Sequence, residues 1–304
     1  MPFPRAEDTV AGSVEMTDGS ERQPPSAEAS LSRPRWLAAL SPRRVAAVAV
    51  GWLVLAWTLV IASDALDLLG WREQLHEPLW RTLFANRRPT EWLQWAALAG
   101  AYGGAAALGA TVRDRGQVAL ARFLTWFGIG AALMLIEDAG DVRHTVALYV
   151  RRVTGDDPIL GLHPATWVDV PYFALLAAPL LYALLRGGHA VWAAPAARPY
   201  LLGGYGLYGL AALGSGLSGV GGGHDPASVF AGSLYERLGR GPAELLPADM
   251  HVRTGMDPAE LRFHLVDGPV EESVELLGAA CFLALVLALA RTQLPEWARA
   301  DGHD

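Results

Sequence analysis

An all-α polytopic membrane bundle of about six transmembrane helices is the fold class this sequence predicts, on three observations. Of its 304 residues, 52% are hydrophobic, and the mean hydropathy is +0.24, too apolar for an average soluble domain. Six apolar runs reach the roughly 18–22 residues needed to cross ~30 Å of hydrocarbon. Trp71, Trp92, Trp95, Trp167 and Trp192 fall near the ends of those runs, where amphipathic rings anchor at an interface.

The runs are 45–63, 92–112, 118–138, 167–186, 199–220 and 272–291. The second is rich in Ala and Gly, and Gly100-x-x-x-Gly104 and Ala105-x-x-x-Gly109 suit close helix contact. The fifth carries Ala211-x-x-x-Ser215-x-x-x-Gly219 to the same effect. The transmembrane domain thus occupies residues 35–295. Residues 1–34, rich in Pro, Ser, Glu and Gly, read as a disordered cytoplasmic tail, and 296–304 as a polar C-terminal tail. The acidic, Pro-containing start has no charged region followed by an apolar one. A secretory signal is therefore not expected, and the first span is expected to stay as an anchor.

Three connecting segments share one side. Residues 64–91 mix apolar and charged positions and read as an interfacial helix. Residues 139–166 hold Arg151, Arg152 and an Asp156-Asp157-Pro158 turn. Residues 221–270 form a long external loop, expected to fold into short helices over the membrane face, with Asp257-Pro258 as a helix start. Arginines flanking the other ends of the spans (Arg43, Arg44, Arg113, Arg115, Arg122, Arg186, Arg198 and Arg291) place both termini in the cytoplasm of a cell-membrane protein.

Several function classes drop out. The net charge is −7 and the basic residues, all Arg, are scattered, so nucleic acid is not an expected partner. Cys281 is the single cysteine, so neither a disulfide nor a thiol metal site can be built. Gly204-x-Gly206-x-x-Gly209 and Gly214-x-Gly216-x-x-Gly219 match a dinucleotide fingerprint but lie inside an apolar span with no preceding strand. Helix packing explains them better.

Chemistry concentrates in acids. Serpentine threading brings the ends of spans one, three and five to one face with the starts of spans four and six. Asp64, Asp67, the Glu137–His144 segment, Asp169, His224-Asp225 and Glu271/Glu272/Glu275 then share that face. Glu137, Asp141 and His144 stand at i, i+4 and i+7, within about 60° on a continuous helix. Two oxygen ligands and an imidazole on one stripe suit a divalent metal, with Glu275 as a fourth ligand. Asp138 points about 100° away, toward another helix. Gly278 and Ala279 continue the Glu271/Glu275 face inward, small enough to admit a neighbouring helix, and Phe282 closes the floor. Acids at a helix C-terminus are disfavoured by the helix dipole. Arg143, Arg151, Arg152, a protonated His144 or a metal is expected to compensate them. Asp64, Asp67, Asp138, Arg143 and Asp169 are the candidates for supporting roles. A structural network neutralised by Arg and solvated helix ends that never meet are the bland alternatives.

The helix end EDAGDVRH paired with the helix start EESVELLGA resembles a pattern in uncharacterised bacterial multi-pass membrane proteins. Those proteins combine an acid-and-histidine helix end (E-D-x-x-D-x-x-H) with an E-E-x-x-E helix start. The resemblance covers about fifteen residues and implies only that the two segments act together. The functional expectation is an outward-facing carboxylate/histidine site in a metal-dependent membrane enzyme acting on a lipid or lipid-linked substrate. Glu137, Asp141, His144 and Glu275 would hold the divalent metal, and Glu271 or Glu272 would serve as acid/base. The alternatives are a cation- or proton-coupled transporter using the same acids, and a structural or assembly subunit.

Overall fold

A computed structural model of the protein describes residues 40–66, 68–71, 74, 77–85, 87–155, 164–218 and 258–294; for 65, 144, 151, 164–166, 214–218 and 258–267 it describes the backbone alone. The expected tails at 1–34 and 296–304, and loop residues 219–257, lie outside the described residues. Every described element is a helix, and five are long and apolar enough to cross a membrane. The chain is an integral membrane protein.

Helix α1 (Pro42–Val60) starts where the Ser41 hydroxyl accepts the Arg44 N–H at 3.1 Å, with proline in its first turn. Ala49, Leu53, Ala56 and Val60 make its buried stripe. Val48 and Val54 are 63% and 62% exposed, as suits a flank against lipid. A π-helical turn, Ile61–Ala65, follows. Helix α2 (Leu79–Phe84) is only six residues long. It is not the longer surface helix expected over 64–91: Trp80 and Phe84 are buried against α1 and the last helix.

Helices α3 (Pro89–Asp114) and α4 (Val118–Gly140) form a hairpin that turns at Gly116, where φ is +76°. Only a glycine accepts that backbone without strain. A Cβ on Gly109 would touch Leu124, and one on Gly128 would touch Ala105, so the small residues of the second span admit α4. Helix α5 (Val142–Thr154) runs through the segment expected outside and packs on α6 (Pro164–Trp192). Helix α6 lies antiparallel to α4, since Gly130 faces Leu180 and Gly187 faces Phe123.

Helix α7 (Arg198–Ser218) packs along α8 (Pro258–Gln293). A Cβ on Gly204 would strike the Phe282 ring, which is the packing role expected for that glycine motif. The last five residues of α7 are described by their backbone alone, and α7 is not among the five membrane-length apolar helices found among the described residues. Helix α8 begins at Pro258, the expected helix start, and runs unbroken through 258–270 into the sixth apolar run rather than ending as a short helix. Its apolar part is the bundle's axis: 72% of its most apolar window is buried, against 22% for α1. Hydrophobic residues all round a helix mark burial on all sides, and α8 contacts α1, α3 and α7.

Candidate functional site

The site grows from the first turns of α3. Pro89 opens the helix, and Thr90, Glu91 and Gln94 are buried. The Thr90 hydroxyl donates to the Leu83 carbonyl at 2.7 Å and accepts the Trp52 indole N–H at 3.1 Å. The Glu91 carboxylate accepts the Arg87 backbone N–H, with Arg87 held at φ 63°. An acid on the third helical residue reaching back over the helix start is a capping arrangement. Glu91 therefore has a structural role of its own.

One and a half turns further, Gln94 is fully buried. Its amide Nε2 donates to the Asp138 carboxylate of α4 and, at 3.0 Å, to Glu275 Oε2 of α8. A primary amide has two N–H donors, and here each goes to a carboxylate on a different helix. Three helices meet at one side chain. Phe127 of α4 and Phe282 of α8 touch edge to face below, with ring centroids 5.1 Å apart.

Two further groups complete this inner set. Tyr208 of α7 lies over Gly278, where an added Cβ would come within 2.8 Å of its ring, and it stacks on Phe282 at 5.2 Å. Glu272 is within electrostatic reach of Glu275, Glu91, Asp138 and Glu271. The Tyr208 hydroxyl, Glu272 Oε2 and Gln94 Oε1 are buried with no hydrogen-bond partner among the described residues. Among the described residues, none of Glu91, Asp138, Glu272 and Glu275 has an arginine within the 4.0 Å of an ion pair.

The neighbouring outer set is built differently. Glu137 accepts the Arg143 backbone N–H at 3.3 and 3.2 Å and the Tyr172 hydroxyl at 2.5 Å. The Arg143 guanidinium lies 3.9 Å from Glu137 and 4.0 Å from Asp169, with its carbon 4.9 Å from the Phe173 ring centroid. This is the arginine compensation expected at the end of α4.

The expected Glu137/Asp141/His144 stripe does not form. Helix α4 ends at Gly140, and Asp141 takes a left-handed backbone of φ 48° and ψ 44° before α5 starts afresh at Val142. Asp is among the few residues that visit that region readily, and the break destroys the i, i+4, i+7 register. Glu137 is engaged by Arg143 and Tyr172, and Glu275 by Gln94; the His144 side chain lies outside the described residues. Among the described residues, no group of three or more His, Cys, Asp or Glu is placed to hold a metal ion.

The remaining candidates divide. Asp64 is buried and accepts the Leu79 and Trp80 backbone N–H groups at 3.0 and 2.8 Å, which anchors α2. Asp67, His224 and Asp225 lie outside the described residues. Glu271 is partly buried at the same end of α8, within electrostatic reach of Asp138 and Glu272. Sequence reasoning passed over Glu91, Gln94, Tyr172 and Tyr208. The start of span two belongs to the same face by the alternation argument, and that was the available signal.

No protein-family model matches this chain, and no curated protein or solved structure matches it either. Fold and site define its class: a helical integral membrane protein with a partly buried, amide-bridged carboxylate pair near one end of the bundle.

Proposed function

We propose that the chain is a multi-pass cell-membrane protein that takes up and releases a small cation, the proton included, at the carboxylates bridged by Gln94. The observation that carries the reading is the bridge itself. Gln94 joins Asp138 and Glu275, and among the described residues neither acid has an arginine within the 4.0 Å of an ion pair, Arg143 acting on Glu275 only at longer range. Partly buried carboxylates held together without an ion-paired counter-charge are costly, and inside a membrane such groups mark ion paths and proton relays. The unpartnered oxygens of Gln94, Glu272 and Tyr208 offer further hard ligands.

The reading takes six crossings with both termini in the cytoplasm. The chain leaves α6 at the end where Gly187 faces Phe123 and enters the apolar part of α8 at the opposite end, where Glu275 meets Gln94. On this reading α7 is the crossing that lies between. Its 21 residues span roughly 30 Å at the helical rise.

The test is a cation titration of purified protein, read by tryptophan fluorescence and by the infrared carboxyl stretch. Sodium, potassium, magnesium and calcium are tried at several pH values. A saturable response to one cation or to pH is expected, absent in Gln94→Leu and Glu275→Gln. A wild-type protein silent to every cation and to pH sinks the reading.

A second reading is the metal-dependent enzyme acting on a lipid or lipid-linked substrate, with Glu271 or Glu272 as acid/base. What favours it is the unpartnered Oε2 of Glu272, which is available to exchange a proton. Stoichiometric divalent metal in purified protein, lost in Glu275→Gln, would move the balance to it.

A further inference from the structure

At the other end of the bundle, a groove of about 300 Å³ opens between α3 and α4, lined by Arg113, Val118, Ala121, Arg122, Thr125 and Trp126. Arg113 donates to the Thr125 hydroxyl at 3.3 Å. Both arginines are exposed, and neither has a carboxylate within the 4.0 Å of an ion pair among the described residues. The groove is therefore positive at its rim. Its floor is apolar: Val118 is 61% exposed, and Trp126 sits edge-on to Tyr182 with centroids 4.8 Å apart. Ile129, one turn deeper on α4, is also exposed and extends the apolar lane along the helix.

We propose that this groove is a binding site for an anionic phospholipid, with Arg113 and Arg122 on the phosphate and the acyl chain along Val118, Trp126 and Ile129. Charge and depth select that occupant. Guanidiniums form paired N–H bonds to phosphate, and basic pockets between membrane helices on the cytoplasmic side take anionic headgroups. The groove starts at the ends of the helices, at headgroup level, and reaches two turns inward along α4. A free phosphate would use only the rim and leave the apolar lane empty. A phosphatidylcholine headgroup would set its own cation against two arginines. The proposal is independent of the carboxylate centre.

The experiment uses the full chain, purified in mild detergent and stripped of lipid. Phosphatidylglycerol, phosphatidylcholine and inorganic phosphate are titrated separately, with binding counted by native mass spectrometry. Phosphatidylglycerol is expected to bind at least tenfold more tightly than phosphatidylcholine, with inorganic phosphate weaker still. Arg113→Gln/Arg122→Gln is expected to lose about 30-fold in affinity, at roughly fivefold per arginine near a membrane surface. Arg113→Lys/Arg122→Lys should keep most of the binding. Arg43→Gln/Arg44→Gln removes two exposed arginines of the same end outside the groove, and should change affinity less than twofold. Equal loss in the Arg43/Arg44 variant would mean diffuse attraction and would overturn the site. Equal affinity for phosphatidylcholine would reduce it to unselective lipid contact. Inorganic phosphate binding as tightly as the lipid would make it a plain anion site. The substituted side chains are solvent-facing, and circular dichroism confirms that each variant is folded.

Discussion

Around Glu137, a partly buried acid meets a guanidinium; around Glu275 it meets an amide. The two sets are adjacent at one end of the bundle, since Glu137 and Asp138 are consecutive on α4. Arg143 sits within ion-pair distance of Glu137 and Asp169, and Tyr172 adds a hydroxyl. Such a set has a fixed counter-charge, one guanidinium shared by two carboxylates. Among the described residues Asp138 and Glu275 are joined by the two N–H donors of Gln94, which hold the acids in place without an ion pair. On the proposed reading, the outer set is scaffolding and the inner one exchanges the ion.

The comparison breaks most sharply at Gln94. Replacing it by Leu removes two hydrogen bonds to charged groups, each worth roughly 1.5–3 kcal/mol. A loss of about 3 kcal/mol is expected in reversible unfolding in detergent. Adding Glu275→Gln to that variant should recover part of the loss, because one of the stranded charges disappears. A double-mutant cycle measures the coupling, expected above about 1 kcal/mol. Should Gln94→Leu cost under about 0.5 kcal/mol, the amide is not what holds the inner acids together.

Next in size is Gly278→Ala. An added Cβ would stand 2.8 Å from the Tyr208 ring, and the ring is backed by Phe282. Overpacking of that kind costs about 1–3 kcal/mol. The expected signature is a lower thermal midpoint together with a weakened cation response, since α7 must move off the acids. An unchanged midpoint would show that α7 approaches α8 less closely than this contact implies.

The outer set sharpens the contrast at smaller cost. Arg143→Met leaves Glu137 with the Tyr172 hydroxyl and the backbone N–H of residue 143. Ion pairs at 3.9 and 4.0 Å are near the limit of contact, and a loss of about 1 kcal/mol is expected. Tyr172→Phe should cost about the same through one hydrogen bond. Neither change should alter the cation midpoint by more than about twofold. A large shift in either variant would join the two sets into one functional unit.

Much of this was readable in the sequence, for physical reasons that can be named. Apolar run length and tryptophan placement identify a membrane bundle because the bilayer imposes both. Alternating threading puts Asp138 and Glu275 at one end, and the structure ties them together through a third helix. The tie itself was hidden. Gln94 does not ionise, so a search for titratable groups passes over it, and it sits just inside a span chosen for its apolar content. The Glu137/Asp141/His144 stripe failed for a local reason. The register assumed an unbroken helix, while Gly140-Asp141 ends one and turns the chain in the left-handed region. Asp64 looked like a member of the acid cluster because of its position, yet its carboxylate is engaged by the backbone N–H groups of α2. Span position locates an acid along the bundle axis; it does not say which donor the acid will find.

The smallest stability effect belongs to Tyr208→Phe, and it discriminates best. The hydroxyl is buried without a partner, so removing it strands nothing. Such a deletion is close to neutral or slightly stabilising, and the ring keeps its place over Gly278 and against Phe282. If the oxygen serves only packing, the cation titration of the variant will overlay the wild type. If it is a ligand to the ion at the Gln94-bridged acids, affinity should fall by about tenfold at unchanged stability, since one hydrogen bond or ligand contact is worth roughly 1–1.5 kcal/mol. Loss of binding without loss of stability cannot come from a scaffolding role, so this variant separates the inner set's two candidate duties more cleanly than any change at the acids themselves.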